Sequence, residues 1–234
     1  MKHLRILVPI CAMALTLSPA SASDSAVERA VDSQDRFATL HGMDIQELKG
    51  EFISTYFPVK VGYTWAYSDK VSGENFDINI VGRQTIRGQN AWKIERTRAN
   101  MANDYDLVTI DDQNGADVHF RFVRGNQMDL SPAVKMTAGQ MATGQVFETE
   151  PVQRNPATGN TTIWRSKIEG FESKTVPAGT YNCVKVRLLV RDSKLGTKFA
   201  DVTMWYGKGV GLVARQGQFF GVYLVEDLNS TNVP

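Results

Sequence analysis

From Tyr56 onward, apolar and polar positions alternate with period two over long stretches. Phe76, Ile78 and Ile80 alternate with Asp77 and Asn79, Trp92 and Ile94 with Lys93 and Glu95, and Val118, Phe120 and Phe122 with Asp117, His119 and Arg121. Successive side chains of a strand point to opposite faces, so this spacing predicts strands with one buried and one polar face. Turn-forming runs separate them: Arg87-Gly88-Gln89-Asn90, Asp111-Asp112-Gln113-Asn114-Gly115 and Arg124-Gly125-Asn126. Turns this short join antiparallel neighbours. Further strands are predicted at 145–149, 162–172, 181–191, 198–206, 212–216 and 219–226. In the 181–191 strand Val184, Val186, Leu188 and Val190 share a face, while Lys185, Arg187 and Arg191 share the other. Cys183 falls with the charged set unless a bulge intervenes. The stretch 130–160 is irregular and carries Pro132, Pro151 and Pro156; it predicts a long surface loop around Asn155–Asn160. About ten strands with no interleaved long helices define an all-β domain over 56–228. Its sheet is a single curved antiparallel one, an open barrel or a sandwich, followed by a tail at 229–234.

The first residues follow a different logic. A basic start at Lys2 and Arg5, an apolar run over 6–17 and the small-residue sequence Ser18-Pro19-Ala20-Ser21-Ala22 form a secretory signal cleaved near Ala22. The apolar run is about twelve residues, short of the roughly 20 that span a bilayer. The reading is therefore a periplasmic or secreted chain with no transmembrane segment after cleavage. Residues 23–55 form an N-terminal helical segment or linker. Val27, Ala30, Val31, Phe37 and Leu40 recur at helical offsets, and Asp44-Ile45-Gln46-Glu47 has capping-box spacing ahead of a short helix ending near Gly50 or Phe52.

Composition narrows the partners. Of 26 basic and 25 acidic residues, cleavage at Ala22 removes two basic ones and no acid, leaving a formal charge of minus one. Such balance gives no basic patch for nucleic acid. Only Cys183 remains beyond the signal, so no intramolecular disulfide supports the fold, and Cys183 reads as a small packed residue.

Three ordered segments carry a resemblance: Tyr56-Phe57-Pro58-Val59-Lys60-Val61-Gly62-Tyr63-Thr64-Trp65-Ala66-Tyr67, Val176-Pro177-Ala178-Gly179-Thr180-Tyr181-Asn182-Cys183, and Trp205-Tyr206-Gly207-Lys208-Gly209-Val210-Gly211-Leu212-Val213. They resemble the motifs of the DUF3108-like domains, a family of exported bacterial envelope proteins of unknown function. The resemblance implies a curved antiparallel sheet of the open-barrel kind seen in lipoprotein carriers, and it implies no catalytic residue. Val59 stands where Leu is usual and Gly207 where Ala is frequent. The lipoprotein cysteine of many members is missing. The motifs also have a structural account, in which Trp65 and Tyr67 point to one face and seal one end of a core.

Candidate chemistry is sparse. Gly207-Lys208-Gly209-Val210-Gly211 lacks the spacing of a phosphate loop and reads as a glycine-rich hairpin. Asp112, Asn114 and Gly115 imitate part of a calcium loop, but Asn114-Gly115 is a hairpin dipeptide. His119 reads as part of a solvated strand face beside Asp117 and Arg121, and His41 as a helix end. No metal site, cofactor or catalytic group is assigned. The acid pairs Asp104/Asp106 and Glu148/Glu150 keep a carboxylate-dependent hydrolase as the weakest reading. The leading expectation is a domain that binds an apolar or amphipathic ligand, a lipid or lipid-linked molecule. Its candidate contacts are the strand aromatics Trp65, Trp92, Phe120, Phe122, Trp164 and Trp205. The alternative is an envelope accessory module that meets a protein partner through an open sheet edge or the 155–160 loop.

Overall fold

The computed structural model describes residues 51–99, 103–123, 125–155 and 158–234. The predicted signal, the helical stretch up to residue 50, His41, and Pro156 and Ala157 of the predicted loop lie outside the described residues. The elements are β1 (Glu51–Phe52), α1 (Ile53–Tyr56), β2 (Thr64–Asp69), β3 (Asn75–Ile86), β4 (Gln89–Arg98), β5 (Asp104–Asp111), β6 (Gly115–Val123) and β7 (Asn126–Thr137). They continue as β8 (Gln140–Met141), β9 (Val146–Thr149), β10 (Thr162–Val176), β11 (Gly179–Asp192), β12 (Lys198–Gly207), β13 (Gly211–Phe219) and β14 (Val222–Thr231). Among the described residues, no helix is long and apolar enough to cross a membrane.

Twelve strands form one antiparallel sheet in the order β7-β6-β5-β4-β3-β2-β14-β13-β12-β11-β10-β9. It comprises two six-stranded meanders, β2 to β7 and β9 to β14, joined where β2 pairs with β14. The far edges, β7 and β9, come together without a regular ladder. Lys135 N–H donates to Thr149 Oγ1 at 3.2 Å, and Val152 N–H to the Ser131 carbonyl at 2.7 Å. The buried Ser166 hydroxyl on β10 reaches the carbonyls of Met136, at 2.7 Å, and Lys135, at 3.1 Å. The sheet is thus a nearly closed barrel. Side chains and isolated backbone contacts satisfy several of the polar groups along this seam that an open edge would expose.

The period-two reading holds for most strands, with instructive differences. Strand β7 occupies part of the stretch expected to be irregular; its Pro132 sits on an edge strand, where the missing N–H breaks no interior ladder. The predicted break between residues 216 and 219 is displaced: β13 continues to Phe219, and the hairpin tip is Phe220-Gly221. Both tip residues have positive φ, +45° and +84°, the backbone sense that suits a two-residue hairpin between twisted strands. Phe220 is held there by stacking on Phe199 and by an edge contact with Phe219, centroids 6.2 and 4.9 Å away. Strand β14 runs to Thr231, past the expected end at 228. Asn232 then pairs with Thr64, the two exchanging backbone and side-chain hydrogen bonds.

One end of the barrel is stoppered by the chain that precedes it. Ile53 and Tyr56 of α1 are buried, Ile53 N–H donates to the Gly139 carbonyl at 2.8 Å, and Gly209 N–H to the Thr55 carbonyl at 2.7 Å. The Phe57 ring stacks on Tyr206 at 4.1 Å between centroids. Trp65 and Tyr67 both point inward at this end, as the motif predicts. The Trp65 indole lies over Gly211 and donates to the Val210 carbonyl at 2.5 Å; the Tyr67 hydroxyl donates to the Leu212 carbonyl at 2.6 Å. Their polar atoms are thereby satisfied and their rings remain as apolar wall.

Candidate functional site: a two-part cavity inside the barrel

Two adjoining cavities run along the barrel interior and share Ile78, Ile94, Asp106, Arg121, Arg215 and Phe219. The deeper one, about 180 Å³, lies against the stopper. Phe57, Pro58 and Val59 form its floor, and Trp65, Val108, Val118, Leu188 and Val202 are among its walls. The outer one, about 340 Å³, extends toward the opposite end and is lined by charged side chains.

The neck between them is built from ion pairs. Arg121 binds Asp106 at two points, Nε to Oδ1 at 2.7 Å and Nη2 to Oδ2 at 2.8 Å. Glu226 is clasped by Arg215, Nε to Oε2 at 2.6 Å, and on its other oxygen by Arg96 Nη2. Phe219 sits between Arg121 and Arg215, its ring 5.3 and 5.8 Å from their guanidinium carbons. Burial pushes the Glu226 carboxyl upward in pKa, but Arg215 and Arg96 outweigh it and hold the group below its ordinary value. Burial, then the neighbouring Arg215, draws Arg96 down to about 10. Nearer the rim, Arg98 is shared by Asp104 and Glu74, and Asp69 accepts from the Val71 and Val225 amides and the Ser72 hydroxyl.

A bulge explains how Arg121 comes to face inward. The β5–β6 and β6–β7 ladders both skip His119: Val118 pairs with Val108, and Phe120 with Leu107. The extra residue reverses the alternation beyond it. Val118 lines the deep cavity, Arg121 the neck, and Phe120 and Phe122 take the face opposite Arg121. His119 is accordingly not on a solvated face with Arg121. It is buried, with Nε2 2.9 Å from Thr109 Oγ1, and burial lowers its pKa.

The six aromatics named from the sequence are dispersed. Trp65 lines the deep cavity. Trp164 is buried in the wall, 6.0 Å from the Arg121 guanidinium carbon and 6.2 Å from Phe220. Phe120 and Phe122 stack on Tyr105 at 5.6 and 5.5 Å. Trp92 lies under the Arg83 guanidinium at 3.9 Å. Trp205 donates to Glu172 at 2.6 Å, beneath Lys174, on the face opposite the cavity-lining Tyr206. Cys183 lies on the same side as Trp205 without any bulge in β11. That side is itself covered here, and Cys183 packs in one cluster with Trp205, Val176 and Val213. Of the acid pairs, Asp104 and Asp106 both line the outer chamber, each bound to an arginine, whereas Glu150 accepts from the Thr161 hydroxyl away from it. Sequence reasoning missed Arg96, Arg121, Arg215 and Glu226. Nothing in the sequence singles them out, since Arg96 stands in a strand with Lys93, Glu95 and Arg98, and Glu226 stands beside Asp227.

The molecule is therefore an antiparallel β-barrel with an internal cavity, apolar at its stoppered end and ionic toward the other. The chain belongs to the DUF3108-like family, which matches residues 93–219, more than half its length. Two solved structures are similar at low identity. A candidate lipoprotein from Parabacteroides distasonis ATCC 8503 aligns with TM-score 0.39 and 16% identity over 76% of this chain and 98% of that one. A candidate exported protein with a YmcC-like fold from Bacteroides fragilis NCTC 9343 aligns with TM-score 0.36 and 14% identity over 78% and 99%. Among curated proteins, none matches.

Proposed function

We propose that this protein binds one amphipathic small molecule, a lipid or lipid-linked compound, inside its barrel, in the cell envelope after export and cleavage near Ala22. The observation that carries the reading is the contiguity of an apolar cavity with an ionic one, because an amphiphile needs both environments within one molecular length. Its apolar end occupies the space floored by Phe57, Pro58 and Val59, with Trp65 in contact. Its polar end lies at the neck, near Trp164. Trp92, Phe120, Phe122 and Trp205 serve the wall.

The test is native mass spectrometry of the full chain purified from its own host, with organic extraction of the same sample. A stoichiometric apolar or amphipathic adduct is the expected result; a bare protein mass in every preparation, with no uptake of added amphiphile, overturns the proposal.

A second reading, a module that meets a protein partner, draws support from the exposed Val152 and Leu195. Val152 precedes the turn that Asn155 and Asn160 close, and Leu195 lies in the turn whose Asp192 accepts from Asn160. Crosslinking from this corner to one envelope protein, together with an empty cavity, would favour it.

A further inference from the structure

One arginine on the outer side of the neck lacks a full set of partners. Three guanidinium groups, Arg96, Arg121 and Arg215, meet two carboxylates, Asp106 and Glu226. Arg121 commits Nε and Nη2 to Asp106, and Arg215 directs Nε and Nη2 at Glu226. Arg96 is different. Its Nη2 reaches Glu226, but its Nε is buried with no hydrogen-bond partner, and its guanidinium carbon rests 3.5 Å from the centroid of the Phe76 ring. A guanidinium is a rigid fork of donors that matches two-point binding of an oxyanion, and a buried donor without an acceptor is costly. The remaining acids of the chamber have other partners. Asp104 and Glu74 share Arg98, Glu95 takes Lys93 and Asn103, and Asp69 is bound within its own turn.

We propose that Arg96, flanked by Arg121 and Arg215, receives an anionic oxygen of the ligand's head group, a carboxylate or a phosphate, so that the ligand is an anionic amphiphile with its apolar end in the deep cavity. The inference rests on the amphiphile reading above and narrows it. An anionic oxygen there supplies the acceptor that Arg96 Nε lacks. The position also fits, since Arg96 lines the outer chamber beside Arg121 and Arg215, which border the apolar cavity.

The experiment compares four ten-carbon probes below their micelle concentrations, by isothermal titration calorimetry against the full chain: decanoate, monodecyl phosphate, decan-1-ol and decyltrimethylammonium. At least one anion is expected to bind about tenfold or more tightly than decan-1-ol, the scale of one charge-assisted hydrogen bond. The better of the two anions identifies the source, fatty-acid-like or phosphate-bearing. Arg96→Gln is expected to abolish the preference, with its fold checked by circular dichroism and thermal melting. Arg96→Lys, which keeps the charge but loses the fork, replaces it if the glutamine variant does not fold, and is expected to lose part of the preference. Equal affinity for all four probes, or preference for the ammonium probe, overturns the anionic head group and leaves the amphiphile reading standing. Binding of none of the four, with no extractable lipid, removes the amphiphile reading and this inference with it.

Discussion

Arg121 and Asp106 meet across neighbouring strands as a two-point ion pair, at 2.7 and 2.8 Å, at the junction of the two cavities. The pair exists because one residue, His119, is inserted into β6; without it Arg121 would point the other way.

Breaking that pair from one side is expected to be worse than removing it. Asp106→Ala leaves Arg121 mostly buried without its counter-charge and should destabilise the fold by about 2 kcal/mol. The double change Asp106→Leu with Arg121→Met should recover much of the loss. Urea unfolding of the single variants and the double variant measures the coupling; strictly additive effects would contradict it.

Stability should fall in acid partly through Glu226. Its pKa is lower in the folded chain than its ordinary 4.5, so the unfolded chain takes up the proton first as pH drops. The contribution is fully present above the unfolded value and is lost as pH falls through the folded one. Glu226→Gln should be less stable near neutrality and show a shallower decline in urea titrations as the pH falls below the ordinary carboxyl value of 4.5. An unchanged slope would remove Glu226 from the account.

Gly211 is placed where a side chain fits poorly. Its φ is +100°, and an added Cβ would lie 3.2 Å from Trp65 Nε1. Gly211→Ala should cost about 1–3 kcal/mol and alter the near-ultraviolet dichroism of the tryptophans. Gly209→Ala, at φ +76° with nothing within 4 Å, carries only the backbone strain and should cost less. Equal losses would mean that the contact with the indole is unimportant.

Cys183 should be chemically silent in the native chain. It is buried, and burial pushes its thiol up to about 11. Labelling by a thiol reagent, followed by peptide mass at Cys183, should proceed at the rate at which the surrounding core opens, and should accelerate in urea as unfolding does. Rapid labelling of folded protein would refute the placement.

Much of the wall was legible from residue order alone. Period-two runs and hairpin glycines mark most strands because each strand has one face turned to a core. The cavity was not legible, and the reason is particular. Val118, Phe120 and Phe122 alternate so cleanly that the sequence offers no sign of the bulge at His119, yet that bulge exchanges the phenylalanines for Arg121 in the interior. Arg96 and Glu226 lie 130 residues apart in the chain, and a charge among other charges of its strand names no partner. The hairpin at Phe220-Gly221 was hidden similarly, since a phenylalanine at positive φ has no turn signature and is stabilised by aromatic neighbours brought in by the fold.

The ladder between β2 and β14 also orders events in time. Hydrogen bonding between Thr64 and Asn232 spans 168 residues, so the first barrel strand to be synthesised has no partner on one side until the last has emerged. Until β14 is in place, β2 and β13 each present an unpaired strand edge. Removal of that final ten-residue strand is expected to leave a chain that associates with other chains through those two edges.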